Sequence, residues 1–188
     1  MLTKIKGSML DPSAVSDRLG YVPVNKAGDT LTGLLTVNGQ IKFPSAQNAS
    51  SDANTLDDYE EGTWTPTWYA VSGSMSYAYQ VGRYVKIGKL VIATCHIITN
   101  ANNAFSGSVY LGGLPFTSDA STTNYIAAPI HMEGVNIASG IWAWAHVNPG
   151  GTTANLRYYV NNAGAALVQG SQMNAGSDVM VTCTYMTT

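Results

Sequence analysis

Side chains able to do acid–base chemistry are few and crowded. Asp57, Asp58, Glu60 and Glu61 form the one tight acidic cluster of a 188-residue chain. A glycosidase needs two carboxylates facing each other roughly 5 to 10 Å apart across the scissile bond. Carboxylates that are neighbours in one loop rarely hold that opposed geometry. The cluster therefore reads as a solvated or subunit-bridging acidic turn, with Arg83, Lys86 and Lys89 as available counter-charges. His96, His131 and His146 stand alone, without HxH or HxxxH spacing, whereas a metal centre needs several ligands converging. Asp119 and Ser121 have no nearby histidine, and no GxSxG elbow is present. The pairs Gly112-Gly113 and Gly150-Gly151 open no helix and so make no phosphate cradle. These residues predict no catalytic group, no metal and no cofactor.

Two cysteines, Cys95 in VIATCHI and Cys183 in VMVTCTY, share parity with the apolar positions of their segments. They are expected to be buried free thiols acting as small apolar groups. The stretch Ile141 to Val147 places Trp142, Trp144 and His146 on one strand face and Ile141, Ala143, Ala145 and Val147 on the other. If the aliphatic face is core, the tryptophans face outward, where aromatic rings can stack on sugars. The alternative is that both faces are buried. Tyr158 and Tyr159 must point to opposite faces, so one of them is core.

The elements that carry these residues follow from composition. Net charge is −2 and only 11% of residues are charged, which excludes an ordinary electrostatic nucleic-acid binder. Polarity comes instead from 19 Gly, 19 Thr, 16 Ser and 14 Asn, and the aromatic and β-branched content favours pleated strands. No run of apolar residues is long enough to span a membrane, so no membrane insertion is expected. The N-terminus has lysines but no apolar core, so no secretory signal is expected.

Five of the nine basic residues precede residue 45, and after Leu90 only Asp119, Glu133, Arg157 and Asp178 are charged. That shift divides the chain into residues 1–44, a linker 45–61 and a C-terminal domain 62–188. In the first part, Asp11 caps a short helix with Pro12 in its first turn, Gly20 ends it, and Leu10, Val15 and Leu19 form its apolar face. Asn38-Gly39 between Leu35/Val37 and Ile41/Phe43 predicts a hairpin. Neither piece has a core of its own, so this part must dock on something. After Gly62, short strands divided by turns predict an antiparallel β-sandwich. Breaks are expected between Gln80 and Tyr84, at Gly88-Lys89, at Asn100–Asn103, at Asn148–Gly151 and at Asn161-Asn162.

LGYVPVNKAGDTLTG, residues 19 to 33, resembles a segment common in tailed-bacteriophage tail-fibre proteins. NTLDDYEEGTWTPTW (54–68) is similar to the junction that introduces the C-terminal domain of such fibres. GRYVKIGKLV (82–91), GLPF (113–116) and the closing TCTYMTT resemble the pattern inside that domain, in the same order. Long fibres carry an extended stalk before the tip, which is missing from these 188 residues. The resemblance implies a short fibre or fibre tip, mainly β, assembled as an elongated homotrimer. Such a protein is made in the host cytoplasm, becomes part of the virion tail, docks on the baseplate or another tail protein through its N-terminus, and contacts host surface polysaccharide for adsorption. It implies no enzyme. The alternatives are a capsule depolymerase tip and a purely structural baseplate or decoration protein. The receptor-binding candidates are Asn102, Asn124, Tyr125, Trp142, Trp144 and Tyr159; the virion-attachment candidates are Leu10, Val15 and Leu19. Burial of the Trp142/Trp144 face between subunits is the favoured reading of that stretch, because trimers bury sandwich faces against one another.

Overall fold

The computed structural model describes residues 30–121, 126–137, 142–160 and 164–188, with backbone alone at 102–104. The chain divides into two units, 1–42 and 43–188. The helix expected from Asp11, with Leu10, Val15 and Leu19, lies outside the described residues. The expected hairpin is corrected. Asn38-Gly39 makes a bend, but the flanking residues pair with nothing as strands. Leu31, Leu34, Leu35, Val37 and Ile41 are all exposed, and a two-stranded hairpin without an apolar face to cover is marginal in water.

The second unit is the antiparallel sandwich that the alternation predicts. In chain order its strands are β1 Tyr59–Trp64, β2 Thr67–Tyr69, β3 Ser72–Ile87, β4 Leu90–Ser106, β5 Tyr110–Gly112, β6 Ile126–Ala128, β7 Ile130–Val135, β8 Ala143–Val147, β9 Thr153–Val160, β10 Gly164–Leu167 and β11 Met173–Met186. The first sheet runs β1-β3-β4-β11-β7; the second runs β2-β5-β9-β8-β6, with β10 also on β9. The inward parity of β4 (Val91, Ala93, Cys95, Ile97) and β11 (Val179, Val181, Cys183, Tyr185) is buried. It meets Leu111, Ala145, Val147, Ala154 and Leu156 of the second sheet in one core. Burying each such aliphatic side chain stabilises by about 1.5–3 kcal/mol.

Strand lengths depart from expectation in three places. β3 runs unbroken through Gly82, because the Trp64 indole of β1 lies over that residue: a Cβ there would sit 2.6 Å from the ring. The indole N–H donates to the carbonyls of Arg83 at 3.2 Å and Thr94 at 3.1 Å, which fixes the ring in place. β4 runs through Asn100–Asn103, where register shifts against β3 absorb the irregularity. Asn102 is therefore a strand residue opposite Met75, not the loop residue expected. β10, of sequence GAAL, was not anticipated.

The chain changes sheets at Thr65-Pro66, between β1 and β2. The Gln80 amide donates to the Pro66 carbonyl at 2.7 Å, and the Trp68 N–H donates to the Tyr77 hydroxyl at 2.8 Å. The Tyr185 hydroxyl donates to the Phe116 carbonyl at 3.0 Å and accepts from the Phe116 N–H at 3.2 Å.

Cys95 and Cys183 are buried free thiols. Burial pushes each up from 9.0 to about 12, and pushes Tyr185 from 10.0 to about 12. All three therefore lose their protons more readily in the unfolded chain. Their contribution to stability is full below pH 9 and is lost as pH rises toward 12. Denaturant midpoints should hold steady from pH 7 to 9 and fall between 9 and 12, with a shallower fall in a Cys95→Ala/Cys183→Ala variant. A flat profile across that window would contradict the burial of these groups.

Candidate functional site

The two outer faces of the sandwich differ in chemistry. On the first sheet, register aligns Ile87, Leu90 and Met186 in one row, Val85 and Ile92 in the next, and Val81, His96 and Met180 further along. Ile87, Leu90, Ile92, Val81, Met180 and Met186 are all substantially exposed, so this face is aliphatic apart from the polar row Arg83, Thr94 and Thr182 that crosses it. The His96 ring packs at a tilt against Tyr79, 4.7 Å between centroids, and lies 2.9 Å from an Asp178 carboxylate oxygen.

The outer face of the second sheet is aromatic and polar. One row runs Tyr69, Tyr110, Asn155, His146 and Ala127 across five strands. The next runs Leu167, Arg157 and Trp144, and beyond it Ala165 faces Tyr159. The Tyr159 N–H donates to the Trp142 carbonyl at 2.8 Å, which carries the row on to Trp142. Trp142 is 83% exposed, Tyr69 63% and Tyr159 46%, while Tyr110 and Trp144 are half-buried. Ala143, Ala145 and Val147 take the inward parity, with Ala145 and Val147 fully buried. This is the alternation read from the sequence. Tyr158 packs against the core while its neighbour Tyr159 faces out. Tyr69 and Tyr110 lie tilted against each other, 6.1 Å between ring centroids. The Asn155 side-chain oxygen accepts from the Asn148 amide at 3.0 Å, which ties the Asn148–Gly151 turn to this face. Burial, and then the charge of Arg157, hold His146 below the usual histidine range.

Three of the receptor candidates, Trp142, Trp144 and Tyr159, thus share one face. Asn102 lies on the other sheet, and Asn124 and Tyr125 lie outside the described residues. Sequence reading missed Tyr69, Tyr110 and Arg157 as members of the same surface. The parity in Thr67-Trp68-Tyr69 and Val109-Tyr110-Leu111 contained the signal for the two tyrosines, since each follows or precedes a buried residue.

The acidic cluster pairs with one of the counter-charges expected for it, Lys86, while Glu60 and Glu61 stay exposed; Asp58 alone departs from a solvated turn. Asp58 is buried and pairs with buried Lys86, which also reaches the Gln47 amide oxygen at 3.3 Å. Asp57 accepts the Ser50 N–H at 2.9 Å, and that bond holds its carboxyl below the ordinary value. Glu60 accepts from the Tyr84 hydroxyl, a bond that pushes the phenol up to about 12. Glu61 accepts from the Tyr59 hydroxyl at 2.9 Å. Glu60 and Glu61 are consecutive on β1 and so point to opposite sides of it. Among the described residues no three His, Cys, Asp or Glu side chains converge as a ligand set. No described helix is long and apolar enough to cross a membrane.

No family model and no curated protein matches the chain. Among solved structures, the fold is similar to the crystal structure of the Dettilon tailspike protein, with a TM-score of 0.59 at 16% identity. The match covers 68% of this chain and 24% of that one. The likeness is one of fold, and the chain spans about a quarter of the length of that protein.

If the aromatic face is free in the assembled protein, Trp142 is open to solvent while Trp64 and Trp68 are not. Iodide should quench a fraction of the fluorescence, and Trp142→Phe should remove most of that fraction. Absence of a quenchable component would place Trp142 in a contact.

Proposed function

We propose that the chain is a receptor-facing tail protein of a tailed bacteriophage, a component of the virion tail that contacts host surface polysaccharide during adsorption. The observation that carries this reading is the outer face of the second sheet, where five aromatic side chains stand beside amides and a guanidinium. Pyranose rings present C–H-rich faces that pack on aromatic rings, and amides offer paired donors and acceptors for hydroxyls. The fold it shares with a tailspike and the ordered resemblance to tail-fibre segments both support the reading. Attachment to the baseplate or another tail protein belongs to the N-terminal residues, including Leu10, Val15 and Leu19. The exposed apolar residues from Leu31 to Ile41 call for a covering partner as well.

In this reading the protein is a homotrimer, and the aliphatic face of the first sheet is the one that subunits cover. That choice reverses the earlier preference for burying the Trp142/Trp144 face. Ile87, Leu90, Ile92 and Met186 offer a more apolar contact and leave the aromatic face to the host. The protein binds without cleaving. Each acid of the one cluster is already engaged by a neighbour, which supports a structural role for it.

Two tests follow. Solution mass should be three times the 19.9 kDa of the chain, and Ile92→Lys with Met186→Lys should shift it toward one. A stable wild-type monomer would defeat the trimer. In folded protein, Trp142→Ala with Trp144→Ala should reduce adsorption to host cells about tenfold or more, at roughly 0.5–1.5 kcal/mol per lost stacking contact. Asp57→Asn with Glu60→Gln should leave adsorption unchanged. Adsorption lost through the acidic pair instead, with bond cleavage in purified polysaccharide, would establish the depolymerase.

A further inference from the structure

Arg157 is the only charged side chain in the six strands of the second sheet. It stands on the outer face between Leu167 of β10 and Trp144 of β8. Its Nε is buried without a hydrogen-bond partner, and among the described residues no carboxylate lies within ion-pair reach. A buried guanidinium Nε without a partner is costly to maintain. The described acids beyond Leu90 are engaged elsewhere: Asp178 with His96, Glu133 near His131, and Asp119 with the Ser121 N–H at 2.8 Å.

We propose that Arg157 is a specificity-determining residue that selects an acidic sugar, one bearing a carboxylate or a phosphodiester, on the aromatic face of the second sheet. The inference rests on the receptor-facing reading above. A planar guanidinium donates two parallel hydrogen bonds to such an anion. Trp144, directly opposite, and Trp142 and Tyr159, one row on, offer stacking surface for the ring that carries it. His146, kept from protonating near neutral pH by burial and by Arg157, adds no second positive charge to the face. One cation among aromatics suits one acidic group per repeat and does not suit a highly charged polymer.

The test uses the full-length protein on an array of bacterial oligosaccharides with neutral, uronic-acid and phosphodiester members on matched backbones. Wild type should favour an acidic member over its neutral match by about 10-fold to 100-fold, as a charge-assisted bidentate contact implies. The preference should weaken as salt is raised. The carboxylate and phosphodiester arms identify which anion is read. Arg157→Gln should abolish the preference while leaving neutral binding intact, Arg157→Lys should restore part of it, and Trp144→Leu should weaken both. Melting curves of each variant verify folding. Binding that depends on Trp144 but is blind to Arg157 would overturn this inference and leave the receptor face standing. Binding to no array member, or an Arg157→Gln variant whose defect is a change in oligomeric mass, would also overturn it. Host-cell adsorption unaffected by Trp142→Ala with Trp144→Ala would instead remove the receptor reading beneath it.

Discussion

The sandwich depends on one crossing. At Thr65-Pro66 the chain passes from the edge of the first sheet to the edge of the second, with Thr65 exposed and Pro66 fully buried. Buried backbone groups must find partners, and here side chains of the first sheet supply them. Gln80 reaches the Pro66 carbonyl, Tyr77 takes the Trp68 N–H, and the Trp64 indole spans the carbonyls of β3 and β4. Gly113 closes the far side, where any side chain would collide with the Thr65 carbonyl at 2.6 Å. Proline at this point leaves one fewer N–H to satisfy. Without the crossing, β2 would not reach β5, and Tyr69 would not join the aromatic row.

The division of charge between the sheets follows from the same arrangement. Ionic groups gather around β1, β3 and the outer side of the first sheet, where Lys86, Asp58, His96 and Asp178 pair among themselves. Lys86 is buried at the inner edge against the Phe116 ring, 5.5 Å from its centroid. Removing either partner of such a pair leaves a buried charge uncompensated, at about 3–5 kcal/mol. The second sheet has no such network, so a single guanidinium dominates its field.

Alternation made much of this legible. Leu90–Ile97, Ala143–Val147 and Asp178–Met186 each declare an inward face by period two, and those faces form the core. What stayed hidden depended on contacts distant in sequence. Gly82 looks like a strand break until Trp64, eighteen positions earlier, is seen to occupy the missing side chain's space. Asn100–Asn103 looks like a turn until bulges against β3 are seen to carry the ladder through. GAAL has little intrinsic strand preference and pairs only because β9 offers an open edge. Asn38-Gly39 has the strongest hairpin signal in the chain, yet its flanks form no strands. The tryptophan face was readable within one strand, but its completion by Tyr69, Tyr110 and Arg157 needed the order of the strands.

The contact between Lys86 and Gln47 has a mechanical consequence. A Ser-, Ala- and Asn-rich stretch such as 45–55 would ordinarily act as slack. Twelve free residues before Tyr59 would let their ends drift apart by about 20 Å in a random-coil average. Here Gln47 is held by Lys86, Ser50 by Asp57, and Asp58 by Lys86 again. The stretch is fastened at several points along its length. Force arriving from the chain upstream of Gln47 is therefore delivered to a buried lysine one position in from the end of the β1–β3 ladder, and residues 47–58 do not act as a swivel.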